Sequence, residues 1–112
     1  MNLKMELVKN VKKFMSSADL LYERRDFTSS CILYFKTLFA VLDYILLITG
    51  KGLPKDHTER FNKLKKSFFK LYKNLEKFYP LYRSTYSLSI NKEKCKEVRD
   101  YVKQLVNEFR IN

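Results

Sequence analysis

Glycine and proline are scarce, with two of each in 112 residues. An all-β domain needs many turns, so this scarcity excludes a sandwich or barrel and favours a few long helices. Histidine is nearly absent: His57 is alone, and no serine or cysteine near it carries a nucleophile signature. Hydroxyl or thiol catalysis needs such a base beside its nucleophile. A zinc site needs several His, Cys or carboxylate ligands, which one histidine and two cysteines far apart in sequence do not supply. Neither a metal nor another cofactor is therefore expected. The GKG at 50–52 is not a P-loop, whose pattern is G-x-x-x-x-G-K-[ST]. Cys31 and Cys95 form no C-x-x-C pair and read as reduced, buried thiols of a cytosolic protein. The opening MNLKMELVKN lacks an apolar signal core, so a cytoplasmic location is expected.

What is present is apolar and basic. The chain is 46% hydrophobic and 31% charged, which argues for a packed core over disorder. Its length fits one domain, residues 1–112, able to bury roughly two-thirds of its unfolded surface. Lysine and arginine number 23 against 12 acidic residues, a net charge of +11. Such a balance attracts nucleic acid, nucleotides or an acidic protein.

Hydrophobic periodicity predicts four main helices, with a fifth where the tyrosine-rich connector forms a turn of helix. The first runs from about Leu3 to Arg24, with Leu7, Val11, Phe14, Met15, Ala18, Leu21 and Tyr22 on one face. Asp26 or Thr28 caps the second, whose body is CILYFKTLFAVLDYILLI. That run is long enough for a membrane span. Lys36 and Asp43 lie inside it, and a charge at the bilayer centre costs about 3 kcal/mol. A central helix wrapped by others, or lying in a dimer interface, is expected instead of a membrane helix.

GKGLPKDHTER then ends that helix and starts the next. Gly50 or Gly52 supplies a left-handed cap, Pro54 blocks continuation, and Asp56 to Glu59 has capping-box spacing. The third helix is predicted over about His57–Tyr79 as one rod stopped by Pro80. Its apolar face carries Phe61, Leu64, Phe68, Leu71, Tyr72, Leu75, Phe78 and Tyr79. YPLYRSTYSLSI reads as a connector, and Ser89 or Asn91 caps a last helix with Cys95, Val98, Val102, Leu105, Val106 and Phe109 inward. Short connections make sequential helices antiparallel, giving an all-α up-and-down bundle of four to five helices.

Two features point to a ligand. Lys63, Lys66, Lys70, Lys73 and Lys77 form a stripe opposite the apolar face of the third helix. Residues 51–77 hold nine basic and three acidic side chains, +6 of the +11. Lysines on a rigid helix can track phosphates. Second, Tyr79, Tyr82, Arg83 and Tyr86 place aromatics beside a basic residue, a combination that stacks bases and holds phosphate.

The order of these features resembles the HEPN family, the nucleotide-binding helical domain of higher eukaryotes and prokaryotes. The resemblance runs through most of the chain. It is carried by the aromatic-rich central helix (Tyr34, Phe35, Phe39, Leu46, Leu47), Gly52-Leu-Pro-Lys-Asp-His57, and a final helix after the connector bearing Arg83. It implies an antiparallel bundle, commonly homodimeric. Many members pair with a minimal nucleotidyltransferase in toxin–antitoxin systems, and many others are metal-independent ribonucleases with an Arg-x4–6-His motif. Here that motif is not present, because positions 50–52 read Gly-Lys-Gly and positions 88–90 read Leu-Ser-Ile. The resemblance thus implies a non-catalytic nucleotide- or RNA-binding module. Arg83 and Tyr86 would line its cleft, His57 would sit at the rim, and the lysine stripe would contact phosphate. The alternative is a metal-independent ribonuclease toxin with a divergent site.

Overall fold

The computed structural model describes residues 2–111. It is an all-helical bundle of five helices: α1 (Leu3–Glu23), α2 (Phe27–Ile48), α3 (His57–Ser67), α4 (Phe69–Ser84) and α5 (Lys92–Glu108). The central helix is α2, and residues from Ser30 to Leu46 are buried on several of its sides. Among the described residues it alone is long and apolar enough to cross a membrane. Most of its apolar stretch, 67%, is buried among the other helices.

Local chemistry sets most of the helix ends. Asp26, Asp56 and Asn91 each accept a hydrogen bond from the backbone N–H three residues on, at 3.2, 2.8 and 2.9 Å. Each satisfies a donor that the helix start leaves without a partner. At the end of α2, Gly50 takes φ 78°, Lys51 N–H reaches the Leu46 carbonyl and Gly50 N–H that of Leu47. This pair of bonds is a Schellman cap, and it requires the left-handed residue that glycine supplies without strain. The same bond pattern closes α1 with Arg25 at φ 66° and α5 with Arg110 at φ 52°.

Pairwise contacts fix the direction of each helix. Tyr22 meets Phe27, Ala18 accepts from Ser30, and Lys36 lies over Phe14, so α1 and α2 run antiparallel. Asp19 accepts from both Tyr34 and Lys103, tying α1 to α2 and α5. Phe78 stacks on Tyr101 at 5.3 Å, joining α4 to α5. The Ile90 N–H donates to Thr28 Oγ1 at 2.8 Å, which pins the α4–α5 loop to the start of α2.

The third predicted helix is not one rod. It breaks at Phe68 (φ −141°, ψ 70°), and α4 folds back on α3. In a continuous helix His57 and Tyr79 would be about 33 Å apart. Their rings are 5.7 Å apart, and Phe61 and Tyr79 are 4.9 Å apart. The break carries no glycine, proline or side-chain N-cap. Burial decides it: folding back packs the two apolar faces against each other and against α2, and that outweighs local helix propensity. The fifth helix therefore arises here and not as a separate turn in the tyrosine segment. Pro80 does not stop a helix either. It lies inside α4, which continues through Ser84 and ends with the Ser84 and Thr85 hydroxyls donating to the carbonyls of Leu81 and Tyr82.

Candidate functional site

The fold-back brings three helices to one point. Phe39 and Asp43 lie one turn apart on α2. His57 and Arg60 share the first turn and a half of α3, three residues apart, so they occupy one face. Tyr79 and Tyr82 arrive from α4, and Tyr86 follows just beyond its end.

Arg60 organises the cluster and is only 8% exposed. Its Nε donates to Asp43 Oδ1 at 2.7 Å and its NH2 to Oδ2 at 3.0 Å, a two-pronged ion pair. Its NH1 lies 2.7 Å from His57 Nδ1, and its guanidinium carbon sits 4.8 Å from the centre of the Phe39 ring. A guanidinium only donates, so His57 Nδ1 accepts and the proton of the neutral imidazole sits on Nε2. Burial, followed by the positive charge of Arg60, holds the His57 pKa below its ordinary value, with Asp43 and Asp56 opposing.

Aromatic rings enclose the imidazole. His57 lies 4.8 Å from Phe39, 5.6 Å from Tyr82 and 5.7 Å from Tyr79, measured between ring centres. The Tyr82 and Tyr86 hydroxyls are 2.9 Å apart, and desolvation raises the Tyr82 pKa to about 12. Tyr86 itself is 77% exposed.

The residues expected to form a site separate into two groups. His57 and Tyr86 belong to one aromatic cluster, linked through Tyr82. Arg83 is exposed in the last turn of α4 and makes no ion pair among the described residues. The lysines do not form one stripe, because the break at Phe68 puts Lys63 and Lys66 on α3 and Lys70, Lys73 and Lys77 on α4. Lys63 is held within the fold, where its Nζ donates to the Lys51 carbonyl at 2.5 Å and lies 4.0 Å from Glu59. Lys73 pairs with Glu76 at 3.0 Å, whereas Lys66, Lys70 and Lys77 remain exposed.

Arg60 and Asp43 were missed as a pair by sequence reasoning. One signal was available. Asp43 is a carboxylate inside an apolar helix, and a buried charge needs a cation brought to it. What sequence could not give was which of many lysines and arginines arrives.

The cysteines also come together. Cys31 and Cys95 are both buried and unbonded, and their thiols meet between α2 and α5. The hydrogen bond to Cys95, with burial, pushes the Cys31 thiol up. Among the described residues no three His, Cys, Asp or Glu side chains gather as metal ligands. A cleft of about 370 Å³ lies away from His57, between α4 and α5, lined in part by Phe78, Leu81 and Glu97.

Comparison of the chain with known protein families, with curated proteins and with solved structures finds no match.

Proposed function

We propose that this protein is a HEPN-like, non-catalytic module that binds a nucleotide or RNA, with Arg83, Tyr86 and His57 at the contact surface. One observation carries the reading. Tyr86 is 77% exposed beside an exposed Arg83, at the open end of an aromatic cluster that includes His57. A large exposed aromatic next to an uncompensated guanidinium suits a base and its phosphate. The net charge of +11 adds long-range attraction. Of the helix lysines, Lys66, Lys70 and Lys77 are the ones left for phosphate, because Lys63 and Lys73 are engaged within the protein.

The HEPN resemblance further suggests a homodimer acting with a minimal nucleotidyltransferase in a toxin–antitoxin-type system, in the cytoplasm. Sedimentation at two protein concentrations tests the dimer, and co-purification with a nucleotidyltransferase encoded in the same operon tests the partner. Titration with RNA and with nucleoside triphosphates at two salt concentrations tests the ligand. Binding that weakens with salt and with Arg83→Ala is the expected result. Absence of salt-sensitive binding to either class sinks the reading.

A metal-independent ribonuclease with a divergent site is the alternative, and the contact between His57 and Arg60 is the observation in its favour. Against it, Asp43 occupies two of the three guanidinium nitrogens and His57 takes the third. Little of Arg60 is left to meet a scissile phosphate. A cleavage assay of wild type beside His57→Ala and Arg83→Ala separates the two readings. Cleavage lost in both variants, with folding intact, would establish the enzyme.

A further inference from the structure

Three cations converge where α1, α2 and α5 meet. A cleft of about 370 Å³ at this junction is lined by Tyr22, Glu23, Arg25, Phe27, Lys92 and Arg99. None of these residues belongs to the His57 cluster. Tyr22 and Glu23 close α1, Arg25 lies in the turn that follows, and Phe27 opens α2. Lys92 is the first residue of α5, and Arg99 comes seven residues later, on the same helix face.

The rings of the cleft seat its cations. The Arg99 guanidinium carbon lies 4.4 Å from the centre of the Tyr22 ring, and that of Arg25 lies 5.4 Å from the centre of the Phe27 ring. The two rings meet edge-on at 5.2 Å. A guanidinium stacked on a ring keeps its N–H edges for other partners. Asp100 Oδ1 takes Arg99 Nε and NH2, both at 3.1 Å, which leaves NH1 with no partner among the described residues. Arg25 and Lys92 are exposed and make no ion pair among the described residues. Lys92 also sits where folding disfavours a cation, because the start of a helix is its positive pole. Glu23 is the one carboxylate that lines the cleft, against three cations.

We infer that this cleft is a second anion site, one that takes a diphosphate or triphosphate group whatever is attached to it. It is separate from the Tyr86 surface and does not depend on the reading of that surface. Charge sets the class of ligand. A single carboxylate answers one cation, whereas linked phosphates bring two or more negative charges into the same small space, and the guanidinium fork matches phosphate oxygens in pairs. The volume is at the low end for ligand pockets, about 300–1,000 Å³, which suits a compact group. Base recognition is not expected, because Arg25 and Arg99 each cover a ring face that a base would use.

The test is isothermal titration with inorganic pyrophosphate, and with citrate at the same ionic strength. Pyrophosphate is expected to bind about tenfold or more tightly than citrate. Adenosine and guanosine diphosphate are expected to displace it equally well. Arg25→Gly removes one cation and keeps the α1 cap, because glycine takes the φ of 66° without strain. Lys92→Ala removes another at an exposed position. Each is expected to weaken pyrophosphate about tenfold or more, with urea midpoints near wild type. Lys13→Ala makes the same change of charge on the exposed side of α1 and is expected to cost about twofold or less. Equal losses in all three variants, or citrate bound as tightly as pyrophosphate, would reduce the site to diffuse attraction and overturn it. So would an absence of pyrophosphate binding, or binding lost in Arg83→Ala and kept in Arg25→Gly. Displacement by one nucleoside diphosphate and not the other would overturn the independence from the base.

Discussion

Arg60 and Asp43 are joined by two hydrogen bonds, at 2.7 and 3.0 Å, with side chains only 10% and 16% exposed. This pair anchors the start of α3 to the central helix, and it aims the NH1 group that fixes His57. Removing one partner from a desolvated ion pair strands the other charge, which typically costs about 3–5 kcal/mol. Arg60→Leu is therefore expected to destabilise the protein by roughly that amount. Asp43→Leu together with Arg60→Leu should recover much of the loss, because no charge is left buried. Urea denaturation of both single variants and the double variant gives the comparison. Additive losses would show that the pair is solvated and unimportant.

His57 makes stability depend on pH in a definite direction. Its folded pKa lies below the ordinary histidine value, since burial and Arg60 disfavour the imidazolium. The unfolded chain then binds its proton first as pH falls. The stabilising contribution is fully present above about pH 6.5, the unfolded value, and declines as pH falls toward the folded pKa. Protonated Nδ1 would also turn a donor toward the Arg60 NH1 group. The urea midpoint measured from pH 7.5 to 5 should fall more for wild type than for His57→Gln. Equal slopes would mean that the imidazole titrates as if in water.

Much of this arrangement was legible in advance, and the parts that were not share a cause. Helices α1 and α5 have clear apolar periodicity, α2 is a long apolar run between Asp26 and the glycine stop, and all three carry side-chain caps, so their extents follow from local sequence. Asp56 and the glycines at 50 and 52 marked the α2–α3 corner for the same reason. The break at Phe68 left no local mark, because residues 61–79 keep helical spacing straight through it and only the packing of α4 on α3 reveals the bend. Pro80 was misleading in the opposite sense. Its missing N–H predicts an ending, yet Leu81 and Tyr82 pack against the core and keep the last turn helical. Arg60 resembled any solvated residue of a polar helix start, and it is the fold that sets it against Asp43.

The thiols of Cys31 and Cys95 should be inert in the native protein. Both are fully buried, and the hydrogen bond and burial hold the Cys31 thiol well above the ordinary range. The thiolate is the reactive form, so Cys31 is protected twice, by access and by protonation, whereas Cys95, whose thiol the contact with Cys31 pulls down, is protected by its burial alone. A thiol-reactive chromophore is expected to modify neither cysteine at pH 8 over minutes and to modify both at once in guanidinium. Rapid native labelling of either would mean that α2 and α5 part readily. The labelling rate in mild denaturant then reports the opening of that interface.

Pro80 offers a sharper test of α4. The ring provides no N–H, so the Glu76 carbonyl loses the partner that a regular helix gives it, a defect worth about 3 kcal/mol in a helix interior. Pro80→Ala restores the donor at an exposed position. It also gives the unfolded chain more freedom, an opposing effect of about 1 kcal/mol or less. The net expectation is a gain of about 2 kcal/mol, read as a higher urea midpoint. A loss would carry a different message. Tyr79 and Tyr82 bracket Pro80, and both rings meet His57. If Pro80→Ala weakens the protein, the local backbone that proline sets is what seats these rings against His57, and RNA binding should weaken with it. If stability rises while binding falls, Pro80 serves the aromatic surface at the expense of the fold.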